Sequence, residues 1–390
     1  MTAASQEGDP APRRRPKDRK QQIIVTARDL FVERGFPRVS MALIAEQLDI
    51  TAGALYRHFS NKAVLLEEVF EDSFSYLRSP IPSDALEDAI DAALNVVVLH
   101  PYVADLWANE ARHLDGEAQQ RVRDGMRTWA HSFEPAIERE RPGLDEGQLE
   151  LVVWGLQSVL AFVSTRLTRA STAVRRPVLR DAALALARVD LTPTGGITPR
   201  AASVITPAST RERLLRAALD HFIERGYQES SMSSIGAAAD VTGPNLYAYF
   251  ESKADLFRAV QERATHAMWL HVDVALRQAT SPQEALRRLV VGHVGIVTDW
   301  PHEGRALAGM DDIETANRAA QREYLSEWVA LLRTLQPELD PKEARLRCLI
   351  VIKVINDLTR TPHVVARSSF PENIVRIAGA ILEPGRSADA

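Results

Sequence analysis

The chain has 390 residues, of which 45% are hydrophobic and 25% charged, and its formal net charge is −5. This length suits two to four domains with buried cores. Its one cysteine, Cys348, excludes an intrachain disulfide, and no run approaches the roughly 18 to 20 apolar residues of a membrane span. The N-terminus also lacks the apolar core of a signal peptide. We therefore expect a soluble, cytoplasmic protein.

Residues 1–18 are predicted to form a disordered, basic arm. The first twelve are rich in Ala, Pro, Ser and Gly, and a basic run of Arg13, Arg14, Arg15, Lys17, Arg19 and Lys20 follows. Such a run is commonly a solvated tail. When a DNA-binding motif comes directly after it, the alternative is an arm that follows the DNA backbone or enters the minor groove.

The next segment, residues 19–62, has the pattern of a helix-turn-helix. A first helix is predicted from Lys20 to Arg34, and Gly35 ends it as a left-handed C-cap residue would. In the following helix, capped by Ser40, apolar residues recur at helical spacing: Met41, Ile44, Ala45 and Leu48. Asp49 and Ile50 interrupt that stripe, so a tight turn is expected there.

The second helix of the motif is predicted to be the recognition helix. Thr51 caps it, and Leu55 and Phe59 share its inward face. The residues left to meet DNA are Thr51, Ala52, Gly53, Tyr56, Arg57 and His58. Lys62, just inside a third helix that we expect Ser60 to cap, is placed to neutralise a phosphate.

Residues 63–190 are helical in pattern and show no period-2 alternation. The predicted helices are 64–77, 85–99, 104–114, 118–140, 148–169 and 178–189. The last two are apolar on more than one face, so we expect a partner to cover the side that their own domain leaves open. This predicts an all-α regulatory domain.

A Pro/Gly/Ser/Thr-rich linker at 191–209 leads to a second copy of the same plan. Residues 231–253 align with residues 40–62 without a gap, at an offset of 191. The second helix-turn-helix domain is predicted at 210–253 and the second helical regulatory domain at 254–384. Its candidate DNA-contacting residues are Thr242, Gly243, Asn245, Tyr247, Tyr249 and Lys253.

These motifs resemble those of the TetR family of bacterial transcriptional regulators. The residues that carry the resemblance are Phe31, Gly35, Phe36, Thr51, Leu55, Tyr56, Phe59 and Lys62, and again Phe222, Gly226, Tyr227, Thr242, Leu246, Tyr247, Phe250 and Lys253. The resemblance implies a DNA operator as partner and an unknown small-molecule effector, and it implies that the last two helices of each half pair as a four-helix bundle. The tandem arrangement departs from the family's usual single module, so an intrachain pseudo-dimer and a dimer of chains are both open.

The two heads differ in charge. Residues 13–62 contain 11 Lys and Arg against 5 Asp and Glu, a net +6, whereas residues 204–253 contain 5 against 6, a net −1. Since phosphate neutralisation supplies much of the affinity for DNA, we expect the first head to bind more strongly.

Aromatic residues in the helical domains are candidates for lining an apolar effector pocket, with ordinary core packing as the alternative: Trp107, Trp129, Trp154, Phe162, Trp269, Trp300 and Trp328. No catalytic motif, cofactor loop or paired metal-binding Cys occurs in the sequence. The favoured function is a DNA-binding repressor that a small apolar ligand releases. The alternative is a ligand sensor or helical enzyme that keeps the helix-turn-helix as a scaffold.

Overall fold

The computed structural model describes residues 16–79, 81, 85–100, 102–164, 170–194, 205–299, 315–367 and 369–383, and across these residues the backbone forms helices and no β-strand. The all-α prediction is confirmed. The helices of the first half are α1 (Pro16–Arg34), α2 (Met41–Gln47), α3 (Ala52–Tyr56), α4 (Lys62–Ser73), α5 (Leu86–Val97), α6 (Val103–Glu110), α7 (Gly116–His131), α8 (Glu134–Glu140), α9 (Glu146–Ala161) and α10 (Thr172–Arg188). The helices of the second half are α11 (Thr210–Glu229), α12 (Met232–Ala238), α13 (Gly243–Tyr247), α14 (Lys253–Gln278), α15 (Pro282–Asp299), α16 (Thr315–Leu335), α17 (Pro341–Thr359), α18 (Pro362–Val365) and α19 (Phe370–Leu382).

Prolines explain where the helix boundaries differ from the predicted ones. Helix α1 begins at Pro16 rather than near Lys20, because proline fits the first turn of a helix, where its missing N–H has no partner to lose. The predicted helix 118–140 is instead α7 and α8, and Pro135 occupies the first turn of α8. Helix α10 starts six residues before the predicted 178 and contains Pro177.

Side-chain caps start the helices of the first head. The Ser40 hydroxyl accepts a hydrogen bond from the Leu43 N–H at 3.1 Å, and the Thr51 hydroxyl accepts one from the Ala54 N–H at 3.2 Å. Helix α4 is capped by Asn61, whose side-chain oxygen accepts from the Val64 N–H at 2.9 Å. The prediction that Ser60 caps this helix is wrong, because Asn61 is the residue adjacent to the first helical position, Lys62.

Two turns in each head depend on left-handed backbone conformations at matching positions. Gly35, directly after α1, and Gly226, at a kink within α11, both have φ 79°. Asp49 and Asp240, between the two helices of each motif, have φ 52° and 54°. Aspartate tolerates this region better than most side chains because it is short and polar. The same backbone turn therefore recurs at the 191-residue offset.

Each head packs around its own apolar core. In the first head, Ile23, Phe31, Ile44, Leu55 and Phe59 are buried. In the second head the cluster includes Leu214, Phe222, Ile235, Leu246 and Phe250, and it extends onto α14 through Leu256, Phe257 and Val260. Burial of a large apolar side chain contributes roughly 1.5–3 kcal/mol, so these clusters are the main stabilising term of both heads.

The chain divides into two compact units. One contains the described residues up to Ser75 together with Asn109–Val122, and the other contains Tyr76–Ala108 and the described residues from Arg123 onward. The first unit holds the first head and α4, which packs against α1. The second unit holds the second head and most of the helical regions of both halves.

Within the second unit, the last helices of the two halves pack against each other. Helix α9 contacts α17, and α10 contacts α17 and α19. The Ser158 hydroxyl donates to the Asp357 carboxylate at 2.6 Å. The Asn373 side chain accepts from the Thr192 N–H at 2.8 Å and donates to the Thr192 carbonyl at 3.0 Å. The start of the linker is thereby attached to the final helix.

The positive φ of Asp49 leads to a testable prediction about the first head. Asp49→Val should reduce the free energy of unfolding of this head by about 1–2 kcal/mol, because a β-branched side chain fits poorly at positive φ. Asp49→Asn should change it by much less, since asparagine also tolerates this conformation. Native-state hydrogen exchange at the Ile44 and Leu55 amides measures the effect. Equal losses of protection in the two variants would contradict the argument.

Candidate nucleic-acid interface

The predicted recognition helix of the first head presents the expected residues to solvent. Thr51, Ala52, Gly53, Tyr56, Arg57 and His58 are all exposed. Tyr56 keeps 52% of its surface accessible, whereas Leu55 and Phe59 are 0% and 1% exposed. Because Leu55 on α3 and Phe59 just after it are fixed against the core, the face that carries the exposed residues is held outward. That face offers hydroxyl, guanidinium and imidazole groups suited to phosphates and base edges.

The second head presents a different set of groups on the same surface. Thr242, Asn245, Tyr247 and Tyr249 are exposed, with Tyr247 at 57% and Tyr249 at 46%, and Gly243 begins α13. Leu246 and Phe250 are buried, like their counterparts in the first head. Where the first head has Arg57 and His58, the second has Ala248 and Tyr249. The second head therefore has an alanine and a tyrosine, both uncharged, at the two positions where the first head has Arg57 and His58.

Arginines of the second head are held by groups within the head itself. Arg213 donates to the Ala239 carbonyl at 3.2 Å and to the Ala208 carbonyl at 3.2 Å. The guanidinium of Arg211 lies 5.3 Å from the centre of the Phe250 ring. Such contacts orient the side chains inward and reduce their reach toward a ligand. In the first head, Lys20 lies over Phe59 in a similar way, and the predicted arm residues Arg13, Arg14 and Arg15 fall outside the described residues.

Lys62, predicted to neutralise a phosphate, and Lys253, predicted to contact DNA, both point into the heads. Lys62 Nζ donates to the Phe36 and Val39 carbonyls at 2.8 and 2.9 Å. Lys253 Nζ donates to the Tyr227 and Ser230 carbonyls at the same two distances. Burial lowers the pKa of both lysines. Their contact with DNA stays a prediction, and the structure adds an internal role that local sequence patterns did not indicate.

The aromatic residues predicted to line an effector pocket occupy several different environments. Trp129, Phe162 and Trp328 are fully buried. Trp154, on α9, is half-buried, and its ring contacts His363 of the second half edge to face. Trp107 and Trp269 are also half-buried. Trp300 lies outside the described residues. A surface depression bordered by Leu86, Ala136 and Arg139 includes none of them. The pocket assignment remains a prediction.

Sequence reasoning missed a buried polar cluster in the second regulatory domain. His293 contacts the Asn356 side-chain oxygen and the Tyr324 hydroxyl, each at 3.2 Å, and its ring meets Trp328 edge to face. Burial lowers the pKa of His293 to about 4, so its imidazole is neutral at pH 7. The sequence does contain an indication of this cluster, because His293 is the one polar side chain in the otherwise apolar run 289–297.

Within the described ranges, no group of three or more His, Cys, Asp or Glu side chains is arranged to hold a metal ion. None of the helices described combines the length and apolar character that crossing a membrane requires.

Comparison with known proteins identifies the duplicated heads. The family model described as "Bacterial regulatory proteins, tetR family" matches this chain twice, at residues 23–69 and 214–260. Both helix-turn-helix heads of this chain are therefore similar to the TetR-family DNA-binding domain. The first match runs from within α1 to within α4, and the second runs from within α11 to within α14. The tandem duplication predicted from the sequence is therefore confirmed.

Named TetR relatives resemble this chain over part of their length. The HTH-type transcriptional activator FasR of Mycolicibacterium smegmatis is 32% identical over 117 residues, which cover 30% of this chain and 53% of the relative. The HTH-type transcriptional repressor BepR of Brucella suis is 42% identical over 57 residues, which cover 15% and 27%. A TetR-family regulator structure from Bordetella parapertussis aligns over 45% of this chain and 96% of its own, with 22% identity and a TM-score of 0.41. The chain thus spans about half or less of these two curated relatives.

The exposure of Gly53 in the first head leads to a second testable prediction. A Cβ added at Gly53 would meet no atom of the protein within 4 Å, so Gly53→Ala should leave the head at least as stable. If α3 approaches DNA closely, the added methyl group should weaken operator binding. Gly116→Ala, at another open position in the same unit, is the matched control. Fluorescence anisotropy with labelled DNA and a melting curve separate the two effects, and unchanged DNA affinity would show that Gly53 does not approach the duplex.

Proposed function

We propose that this protein is a DNA-binding transcriptional regulator. The observation that carries the proposal is the geometry of the first head, in which Leu55 and Phe59 are buried while Tyr56 on the recognition helix and Arg57 and His58 directly after it are exposed. A helix placed in this way can enter a major groove with its N-terminal residues toward base edges. The TetR matches to both heads support the same function.

The proposed direction of regulation is repression by occupancy of an operator. The printed names of the relatives include both an activator and a repressor, so the names alone leave the direction open. We favour repression because a bound helix-turn-helix pair excludes other proteins from the DNA that it covers. A reporter gene behind the operator measures the sign directly, and higher expression in the presence of the protein would reverse this part of the proposal.

The proposed effector is a small, mainly apolar molecule that binds a helical regulatory domain. Such a ligand lowers DNA affinity if it binds the conformation in which the heads are misplaced more tightly than the DNA-bound conformation. Buried aromatic side chains such as Trp129 and Trp328 give these domains apolar interiors. The polar cluster around His293 would supply hydrogen bonds for one polar group of the ligand.

We further propose that one chain forms its own pseudo-dimer. Packing of α9 and α10 against α17 and α19 supports it, because these are the paired segments that carry surplus apolar surface in the sequence. The hydrogen bonds of Ser158 and Asn373 cross between the halves at the same place. Two unlike heads on one chain would read an operator with unlike half-sites, whereas two chains using their first heads would read a palindrome.

The function is tested by binding of the purified protein to a promoter fragment in a gel-shift titration at several salt concentrations. We expect saturable binding that weakens as salt increases, because bound cations are released from neutralised phosphates. Complete absence of binding to promoter DNA and to unrelated DNA, at low salt, would favour the alternative of a ligand sensor or enzyme that retains the heads as scaffolds.

Unequal heads are the third testable prediction. Arg57→Ala combined with His58→Ala should weaken operator binding more than Asn245→Ala combined with Tyr249→Ala, because only the first pair removes basic groups. The expected loss from the first pair is on the order of 1–3 kcal/mol if Arg57 makes a bidentate base contact. Anisotropy titrations of both double variants on one operator compare them. Equal losses would show that both heads contribute alike despite their charges.

Pseudo-dimer formation is tested by dividing the chain. A fragment of residues 1–195 retains α9 and α10 but loses α17 and α19, so the apolar surface that those helices cover becomes exposed. We expect this fragment to dimerise or aggregate, whereas the full chain should remain a monomer. Light scattering coupled to size-exclusion chromatography measures both masses. A well-behaved monomeric fragment would contradict the proposed pairing.

A further inference from the structure

In both heads, the first residue of the helix that follows the recognition helix is a lysine directed inward. The Lys62 ammonium bonds the Phe36 and Val39 carbonyls and lies 4.1 Å from the centre of the Phe36 ring. These carbonyls belong to the short connection between α1 and α2. The lysine therefore ties the start of α4 to the turn that leads into the helix-turn-helix. We refer to this arrangement as the lysine clamp.

The second head contains an independent copy of the lysine clamp. Lys253 bonds the Tyr227 and Ser230 carbonyls and lies 4.4 Å from the centre of the Tyr227 ring. The aromatic residue differs between the heads, and Ser230 replaces Val39, yet the lysine geometry is unchanged. What the two copies share is the lysine, an aromatic ring and two backbone carbonyls. The arrangement thus recurs despite changes in the surrounding side chains.

In the first head the same turn is also held by a buried carboxylate. Glu110, which is 4% exposed, accepts a hydrogen bond from the Phe36 N–H at 2.9 Å. The Phe36 ring stacks on His113 with 5.0 Å between ring centres. Glu110 also attracts the Lys62 ammonium electrostatically, which raises the pKa of Lys62 and partly offsets the lowering that burial of the lysine causes. The N–H and the carbonyl of Phe36 are therefore both bonded to ionisable side chains.

An ammonium group has three N–H donors, and Lys62 directs two of them to carbonyls inside the head. Removing these bonds would leave two carbonyls short of a donor in a partly buried site, which destabilises the turn. The recognition helix is only five residues long and connects to Lys62 through residues 57–61. Its direction therefore depends on how firmly the start of α4 is attached, in addition to the burial of Leu55 and Phe59.

We propose that Lys62 and Lys253 are positioning residues that set the direction of the recognition helices by clamping α4 and α14 to the preceding turns. For Lys62 this deepens the proposed DNA-binding function and rests on it. For Lys62 it is an alternative to the prediction that this lysine neutralises a phosphate. A mispositioned recognition helix loses contacts to bases more than contacts to the uniform phosphate backbone. The clamp should therefore affect sequence specificity more than the salt dependence of binding.

The first experiment compares full-length wild type with Lys62→Met, Lys62→Arg and, as an exposed basic control outside the proposed interface, Arg34→Met. Affinities for operator and for unrelated DNA of equal length are measured across a range of salt concentrations, below the melting temperature of each variant. Positioning predicts that Lys62→Met reduces the operator-to-unrelated affinity ratio about tenfold with an unchanged salt slope. Lys62→Arg should give an affinity ratio between those of Lys62→Met and wild type. A planar guanidinium does not reproduce the two hydrogen bonds that the compact ammonium group donates to the two carbonyls.

Two other roles for Lys62 predict different results in the same experiment. A phosphate role predicts that Lys62→Met lowers the salt slope by about 0.9 and weakens both DNAs together, with Lys62→Arg fully active. A purely stabilising role predicts a lower melting temperature with an unchanged affinity ratio. Either result, or no change in any of these quantities, would overturn the proposal for Lys62.

A second experiment needs no DNA and separates failure of the clamp from failure of the proposed function. Lys253→Met in the full-length protein should increase amide hydrogen exchange in residues 230–238, next to the carbonyl that Lys253 bonds. Thr280→Ala, remote in sequence from the head, is the control. Unchanged exchange in 230–238 would overturn the clamp in the second head. Absence of DNA binding by wild type would instead remove the regulatory function and leave this measurement valid.

Discussion

A recognition helix of five residues is too short to hold its own direction, so the first head depends on the burial of Leu55 and Phe59. These two side chains attach α3 to a core built from α1 and α2, and the face opposite them becomes the candidate DNA surface. The second head repeats the arrangement with Leu246 and Phe250. Every functional proposal for the heads follows from this one orientation, because the same burial that stabilises the head also decides which groups face solvent.

The tandem architecture releases a constraint that a homodimer carries. In a symmetric dimer each substitution changes both DNA-binding heads, whereas in this chain each head can change separately. The two heads have kept what folds them, including the left-handed Asp49 and Asp240 and the inward lysines. They have diverged on the exposed surface, where Arg57 and His58 correspond to Ala248 and Tyr249. Residues that maintain the fold are shared, and residues available for recognition are not.

Much of this organisation could be predicted from spacing alone. The apolar period, the caps at Ser40 and Thr51 and the ungapped duplication established the helices and the exposed face of α3, because these depend on local pattern. The direction of Lys62 could not be predicted in this way, since its partners are carbonyls 23 and 26 residues earlier in the chain, brought close only by tertiary folding. The boundary between α7 and α8 was missed for a local reason, because Pro135 was read as part of a continuous helix. The break at Pro177 was overestimated, since α10 contains it.

Pairing within one chain also changes the energetics of DNA recognition. Two separate subunits must first associate, so the fraction able to bind an operator depends on protein concentration. Under the proposed pseudo-dimer, the contacts of α9 and α10 with α17 and α19 are intramolecular, and the linker keeps the halves at a high effective concentration. Thr192 and Asn373 add a fixed attachment where the linker leaves the first half. If the first head binds DNA more strongly, as we propose, the second head, with its net charge of −1, would contribute mainly to selectivity.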